Sequence, residues 1–259
     1  MKAKDFCINK RRRVTNHLSA IMTALACLCL CAGFHACRTE KKKVHILLVT
    51  GGHEYDTEGF ERLMAALPVT YEHAAHPNVY AKLKAGAVEA YDAVLLYDMP
   101  ADIPAEAQAD FIAMLDRGKG LVVLHHAFCS YDSWPEYTNI AGGRYHHYEW
   151  TRDGITYPHS RYTHDVTFQV TVVDRDHPVT KGVPDFQITD ETYGGTEILP
   201  TVHPLLSTGE PTSNSLVGWT NTCRNARVVT LTLGHDRNAW ENPAFQKILS
   251  QAILWVARR

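Results

Sequence analysis

Between residues 44 and 124, short apolar runs alternate with stretches of helical periodicity, and few folds accept that order. Val44–Thr50, Val69–His73, Ala93–Tyr97 and Leu121–Leu124 read as strands. Leu121–Leu124 is wholly apolar, as expected of a strand buried on both faces of a parallel sheet. Between these runs, Thr57–Leu67 repeats Phe60, Leu63, Met64 and Leu67 at helical spacing, with Thr57 as candidate N-cap. Ala81–Ala90 reads as a weaker helix. Pro104–Arg117 is a third, with Ala107, Phe111, Met114 and Leu115 on one face. Pro104 at its first turn and Gly118 just past its end are the expected start and stop signals. The alternation predicts an α/β fold: a doubly wound, mostly parallel sheet with right-handed crossovers and helices on both faces.

Ligands of such sheets sit beyond the carboxyl ends of the strands. Several predicted strands break there into chemistry-bearing residues. Gly51-Gly52-His53 follows the first, Asp98 the third and His125-His126 the fourth; Gly234-His235 follows Val228–Leu233. The two glycines at 51 and 52 permit a tight turn and close approach of backbone to a ligand. Phe186–Tyr193 adds Asp190-Glu191. Imidazole serves as acid, base or metal ligand near neutral pH, and a carboxylate beside it can orient the ring or act as base. His53, His125, Glu191 and His235 are therefore the candidate reacting groups. Tyr55, Asp98, His126, Tyr145, His146, His147, Asp190, Tyr193 and Trp240 are candidate substrate-binding residues, with Tyr145 and Trp240 expected near the mouth. His235 joins this rim only if its strand runs parallel; an antiparallel strand would carry it to the far end.

Each assignment has a structural counterpart. His53 could cap a helix, Asp98 could anchor the turn before Pro100, and Asp190 could fix a loop through backbone N–H groups. His164 with Asp165 reads as the start of a strand, and His177 before Pro178 as a turn residue. A divalent metal such as zinc remains open: histidines and a carboxylate suit one, but no local spacing such as HExxH demands it.

Residues 126–164 interrupt the pattern with Trp134, Trp150, many Tyr and His residues and Gly142-Gly143. A loop this long in a compact domain is usually functional. Aromatics interleaved with polar groups suit a sugar, whose C–H faces pack on rings while its hydroxyls need partners. The same composition would suit a loop packed on itself. Downstream, Asp165–Val173 alternates like a strand with one wet face. Leu216–Thr220 and Val228–Leu233 are further strands, and Pro243–Ala257 is a closing helix.

The first residues read as a leader. Lys10-Arg11-Arg12-Arg13 is a basic segment, and Leu18–Phe34 is apolar but short for a membrane span of roughly 20 residues. Ala36-Cys37 and the polar run to Lys43 resemble a bacterial lipoprotein signal. Residues 1–36 are then the signal, Cys37 the lipidated residue, 37–43 a tether and 44–259 the domain. A plain secretory signal and an uncleaved anchor are the alternatives. The lipoprotein reading expects a cell-envelope protein, membrane-anchored and facing the periplasm. Five of the seven cysteines lie at or before Cys37. Cys129 and Cys223 remain, enough for one bridge and no disulfide framework. The chain has 26 basic and 28 acidic side chains. Six of the basic ones precede Cys37, so the remainder is acidic and gives no reason to expect a nucleic-acid partner. The oligomeric state is not legible.

Taken together, these segments resemble the ThuA-like family, named for trehalose utilisation. The resemblance rests on Val49-Thr-Gly-Gly-His53, Gly120-Leu-Val-Val-Leu-His125-His-Ala127, Gly142-Gly143 with its Tyr/His cluster, Tyr162-Thr-His164-Asp165, Asp176-His-Pro178, Asp190-Glu191-Thr-Tyr193 and Gly234-His235 with Trp240. It implies a flavodoxin-like, class I glutamine amidotransferase-like fold. It also implies carbohydrate catabolism, including that of oxidised (keto) sugars, with a small carbohydrate as partner. His146-His147-Tyr148 leaves open which histidine takes the family's place after Gly-Gly. In the amidotransferases, the turn after the corresponding strand carries a nucleophilic cysteine between glycines. Here that turn carries His125, and Cys129 is not expected to be a nucleophile. The resulting expectation is a sugar-active enzyme using His/carboxylate acid–base chemistry, possible metal assistance included, with a non-catalytic periplasmic sugar-binding module as the alternative.

Overall fold

The computed structural model describes residues 43–259, so the leader and Cys37 lie outside the described residues. Strands β1 (Val44–Gly51), β2 (Val69–Ala75), β3 (Ala93–Asp98) and β4 (Gly120–Leu124) pair in parallel in the order β2-β1-β3-β4. Their crossovers carry helices α1 (Thr57–Ala66), α2 (Tyr80–Leu83) and α3 (Ala105–Asp116). Further along the chain come α4 (Glu136–Ala141), α5 (Arg237–Trp240) and α6 (Pro243–Val256). The strand β13 (Ala226–Leu231) adds to β4 in parallel, which brings the following Gly234-His235 to the same rim as His125.

Successive side chains of a strand face opposite sides, and here both sides are covered. Ile46, Leu48, Leu95, Tyr97, Val122 and Leu124 pack with Phe60 and Leu63 of α1 and Phe245, Ile248 and Leu249 of α6. Leu47, Val49, Val94, Leu96, Leu121 and Val123 pack on the other side with Phe111, Met114 and Leu115 of α3 and Ile140 of α4. That explains why β3 and β4 are apolar throughout. The fold is α/β, with the flavodoxin-like parallel strand order β2-β1-β3-β4-β13 and helices on both faces.

Beyond β13 the sheet continues antiparallel through β12 (Leu216–Cys223), β11 (His203–Thr208), β8 (Arg161–Val172) and β9 (Phe186–Gly194), giving nine strands. β8 meets β11 only through Val170–Val172. Its remaining length pairs with β9 alone as a two-stranded ribbon. The register slips between Thr163 and Val166, where Asp165 has φ of +55°. Such a bulge bends a strand. The far end of β9 crosses the carboxyl ends of β4 and β13, where Asp190 and Tyr193 bond to the Gly234-His235 backbone and to His125.

Residues 126–164 are not an unstructured loop. They contain most of a 3₁₀ turn (His125–Cys129), α4, the short strands β5 (Gly143–Arg144), β6 (Trp150–Arg152) and β7 (Ile155–Tyr157), and the start of β8. These elements are held by side chains: Trp219 Nε1 and the Thr230 hydroxyl donate to the Ala141 carbonyl, each at 2.8 Å. The N-cap of α1 is Asp56, which accepts from Gly59 N at 3.0 Å; Thr57 is the first helical residue. The weak helix at 81–90 breaks in two, with Gly86 at φ +90° in between. Gly52 (φ +81°) does allow a close approach, but to the protein's own chain: a Cβ there would stand 2.5 Å from the Met99–Pro100 backbone.

Candidate active site at the carboxyl ends of the sheet

His125 is the first residue past β4, fully buried and at φ +52°. A non-glycine residue in this region costs of order 1–3 kcal/mol, and such strain clusters at functional sites. The ring is fixed by Nδ1–H donating to the Thr232 carbonyl at 2.9 Å. In the neutral ring Nε2 is then left as an acceptor. Three groups crowd that one nitrogen: the Tyr193 hydroxyl at 3.0 Å, His235 Nδ1 at 3.1 Å and Glu191 Oε1 at 3.4 Å. His235 Nδ1 and Glu191 Oε1 are 3.9 Å apart. The other Glu191 oxygen, Oε2, meets His164 Nδ1 at 2.7 Å.

Burial works against the Glu191 carboxylate, but the hydrogen bond and charge of His125, with the charge of His235, outweigh it, and its pKa is lowered. Burial and the neighbouring His125 lower that of His235. Beneath them, Asp190 Oδ1 accepts from the N–H groups of Glu191 and His235, both at 2.9 Å, and Oδ2 from Gly234 at 2.7 Å. Burial raises the Asp190 pKa to about 6, against the pull of His125 and those three N–H groups. Its carboxyl binds β9 to the loop after β13.

Five imidazoles form a row. Centroid separations are 4.8 Å from His53 to His126, 5.4 Å to His125, 5.1 Å to His235 and 4.9 Å to His164. His53, His125 and His235 thus share one rim, with His53 reaching the cluster only through His126. His126 is buried against Tyr97, and burial drives its pKa down to about 2, so it is neutral. Tyr55 packs edge-on against Phe60 and Tyr97.

Other candidates hold the walls. Asp98 lies outside the cluster: its Oδ2 meets His76 Nε2 at 2.6 Å and accepts from the Tyr131 hydroxyl at 2.9 Å. His146 meets Glu197 Oε2 at 2.8 Å and stacks on Trp150. His147 Nε2 donates to the Cys129 carbonyl at 3.1 Å. Trp240 does not stand at a mouth. It is buried against Phe60 and Tyr97, with Nε1 donating to the Gly234 carbonyl at 2.8 Å. Tyr145 is also buried, its ring edge-on to Tyr193 and its hydroxyl donating to the Ser160 carbonyl. It borders a cleft of about 510 Å³ whose lining includes His159, Arg161, Tyr162 and Gly194. Tyr162 also touches the His164 ring, 5.2 Å between centroids. Cys129 and Cys223 are free and buried, so they form no bridge, and burial pushes the Cys129 thiol far up.

His164 is the residue that sequence reading underrated. It does belong to a strand, but its neighbour across the ribbon is Glu191. The cross-strand register, with Thr163 opposite Thr192, carries that information, and no local spacing reports it.

A family model described as ThuA, trehalose utilisation, matches residues 43–256. Among solved structures, a ThuA-like protein of Parabacteroides merdae aligns with a TM-score of 0.69 at 20% identity, over 83% of this chain and 90% of that one. A ThuA-like protein of Bacteroides uniformis aligns at 0.64 and 18% identity, over 86% and 95%. The cytoplasmic protein STM1381 of Salmonella typhimurium aligns at 0.59 and 10% identity, over 82% and 99%. At these identities the structural likeness speaks for the fold alone. No curated protein matches the sequence.

Proposed function

This chain belongs to the ThuA family, and on that premise we propose that it is an enzyme acting on a sugar or keto-sugar by His/carboxylate acid–base chemistry. The observation that carries the reading is the convergence of the Tyr193 hydroxyl, His235 Nδ1 and Glu191 Oε1 on His125 Nε2, within 3.0 to 3.4 Å. His125, oriented by Thr232, is the base; Glu191, with its pKa lowered, is the carboxylate that stabilises the resulting imidazolium. Tyr193 and His235 are the proton donors to substrate oxygen. Such a set serves hydrolysis, elimination or isomerisation, all of which move a proton on or beside an oxygen-bearing carbon. The cleft beside Tyr145 and Tyr162 supplies ring faces and hydroxyl partners of the kind a sugar needs.

The same proposal holds the protein at the cell envelope by an acylated Cys37, facing the periplasm. Its support is the basic segment, the apolar run and the Ala36-Cys37 junction of the leader.

The test is incubation of purified protein with a panel of glycosides and 3-keto-glycosides, with mass spectrometry of the products. Positioned acid–base catalysis contributes about 10²–10⁴-fold, and His125→Gln should lose a factor of that order. The second reading is a binding module without turnover. It is favoured by one observation: the cleft lies beside the cluster, and the cluster's residues are absent from its lining. Sugar binding that survives His125→Gln, with no product from any panel member, would establish it.

A further inference from the structure

We infer that His125 Nε2, His235 Nδ1 and a Glu191 carboxylate oxygen are the protein ligands of a divalent transition-metal ion of the zinc class. The inference rests on reading this cluster as the working site; in the metal-loaded protein the three side chains are ligands rather than base, proton donor and counter-charge, which leaves Tyr193 and His164 to move protons, and the inference is tested without turnover.

The first argument is distance. Tetrahedral ligands at about 2.0–2.1 Å from zinc stand about 3.4 Å from one another. The three donor atoms stand 3.1, 3.4 and 3.9 Å apart. They all lie within 4.8 Å of one another and come from three separate segments. One ion at their centre needs only small side-chain shifts.

The second argument is hydrogen-bond accounting. With Nδ1–H committed to Thr232, a neutral His125 has one lone pair at Nε2. Tyr193, His235 and Glu191 cannot all be satisfied by it. Glu191 Oε1 also presents an acceptor to an acceptor. A cation at the centre would take a lone pair from each of the three and end the competition of the Tyr193 hydroxyl for His125 Nε2.

The third argument is the surrounding shell. Metal-bound histidines characteristically donate their other N–H to a carbonyl or carboxylate, and bound carboxylates are themselves hydrogen-bonded. His125 does this through Thr232, and Glu191 through His164 at Oε2. Asp190 fixes the backbone N–H groups of both His235 and Glu191. His164 is a positioning residue in this arrangement.

Donor chemistry selects the metal class. Two imidazole nitrogens and one carboxylate suit zinc or a neighbouring transition ion; magnesium and calcium prefer all-oxygen sets. Two histidines, one glutamate and an open position is a ligand set found in catalytic zinc sites. Such an ion would polarise a bound water or a sugar carbonyl.

The experiment loads chelator-stripped protein with zinc, desalts it and measures bound metal by plasma mass spectrometry. Cobalt(II) substitution, read by visible absorption, reports the coordination. The expected result is about one ion per chain, an absorption spectrum typical of four or five ligands, and a rise in unfolding temperature on loading. His235→Ala and the isosteric Glu191→Gln should each weaken retention by at least about tenfold. His203→Ala, which removes an exposed histidine paired with Asp174, should leave it unchanged. His235 is partly exposed, and Glu191→Gln preserves shape should the alanine variant fail to fold.

Metal that washes off the wild type, or that His235→Ala and Glu191→Gln retain as well as the wild type does, overturns the inference. A wild type that retains no metal on loading yet turns over the panel would sink the metal site and leave the enzyme reading standing. Stoichiometric metal with no turnover on the panel would do the reverse.

Discussion

Gly52 offers the sharpest test of how the rim is built. Replacing it with alanine does two separable things. It places an L-residue at φ +81°, which costs about 1–2 kcal/mol. It also sets a Cβ 2.5 Å from the carbonyl of Met99 and the nitrogen of Pro100. Those atoms are backbone and cannot rotate away. Ordinary contact begins near 3.4 Å, so the ends of β1 and β3 must part by most of an ångström. Overpacking of that kind costs typically about 1–3 kcal/mol. The movement also strains the Met99 N–H bond to the Gly51 carbonyl, 2.8 Å in the native fold. The expected total is about 2–5 kcal/mol. Two other glycines isolate the components. Gly86 has φ +90° and nothing within 4 Å of its added Cβ, so Gly86→Ala carries the backbone cost alone. Gly209 has neither problem, and Gly209→Ala should be neutral or stabilising by about 0.4–1 kcal/mol. Urea unfolding at equal slope gives the three values. The order of stability should be Gly209→Ala, then Gly86→Ala, then Gly52→Ala. If Gly52→Ala costs no more than Gly86→Ala, the close approach is not what that glycine is for.

Asp190→Ala leaves the N–H groups of Gly234, His235 and Glu191 without their acceptor. It should destabilise by about 2–4 kcal/mol, which a urea titration would register and an unchanged midpoint would refute. Asp56 has its pKa held down to about 2, first by its hydrogen bond from Arg237 and then by Gly59 N–H. A depressed carboxyl stabilises the fold above its ordinary pKa of 3.8 and stops doing so as pH falls through about 2. Asp56→Asn should therefore show a flatter stability profile than wild type between those limits; parallel acid profiles would count against the Arg237 contact. Cys129 is expected to be dispensable, because its thiol is buried and held protonated. Alkylation at Cys129 that abolishes turnover, with bound substrate protecting it, would contradict this. Cys37→Ser is expected to leave the membrane fraction; a variant that stays bound at unchanged mass would refute lipidation.

The parallel half of the fold was legible because its signal is local. Each of β1, β3 and β4 is a run whose two faces are both buried, and the helices between them repeat their apolar residues at helical spacing. Pro104 and Gly118 mark helix ends for reasons that need no tertiary partner. The antiparallel half was harder. β11 begins His203-Pro204 and alternates weakly, and β5, β6, β7 and β10 (Glu197–Ile198) are two or three residues long. Such strands exist because tertiary partners hold them: β10 pairs with β5, and Arg152 of β6 donates to Glu197 of β10 at 2.9 Å. His125 and His235 could be found as candidates because they follow apolar strands, and Glu191 because it sits beside Asp190 in a recognisable strand. His235 meets His125 once β13 runs parallel to β4; what could not be read was where Glu191 falls, since that depends on the path of the ribbon past the bulge at Asp165. Trp240 is expected near the mouth, whereas its ring packs edge-on against the stacked pair of Phe60 and Tyr97.

The bent ribbon also sets an order of events for a chain emerging from the ribosome. Residues 161–194 are synthesised before β11, β12 and β13, yet those three strands stand between the ribbon and β4 in the finished sheet. Until residue 235 has been made, Asp190 has no Gly234-His235 loop to grip, and His125 lacks the Thr232 carbonyl that orients its ring. The nascent ribbon therefore waits as an open hairpin with an unpaired edge, the kind of surface that pairs with the wrong chain if left alone. A protein cut short before β13 would carry four of the five clustered histidines and still have no site.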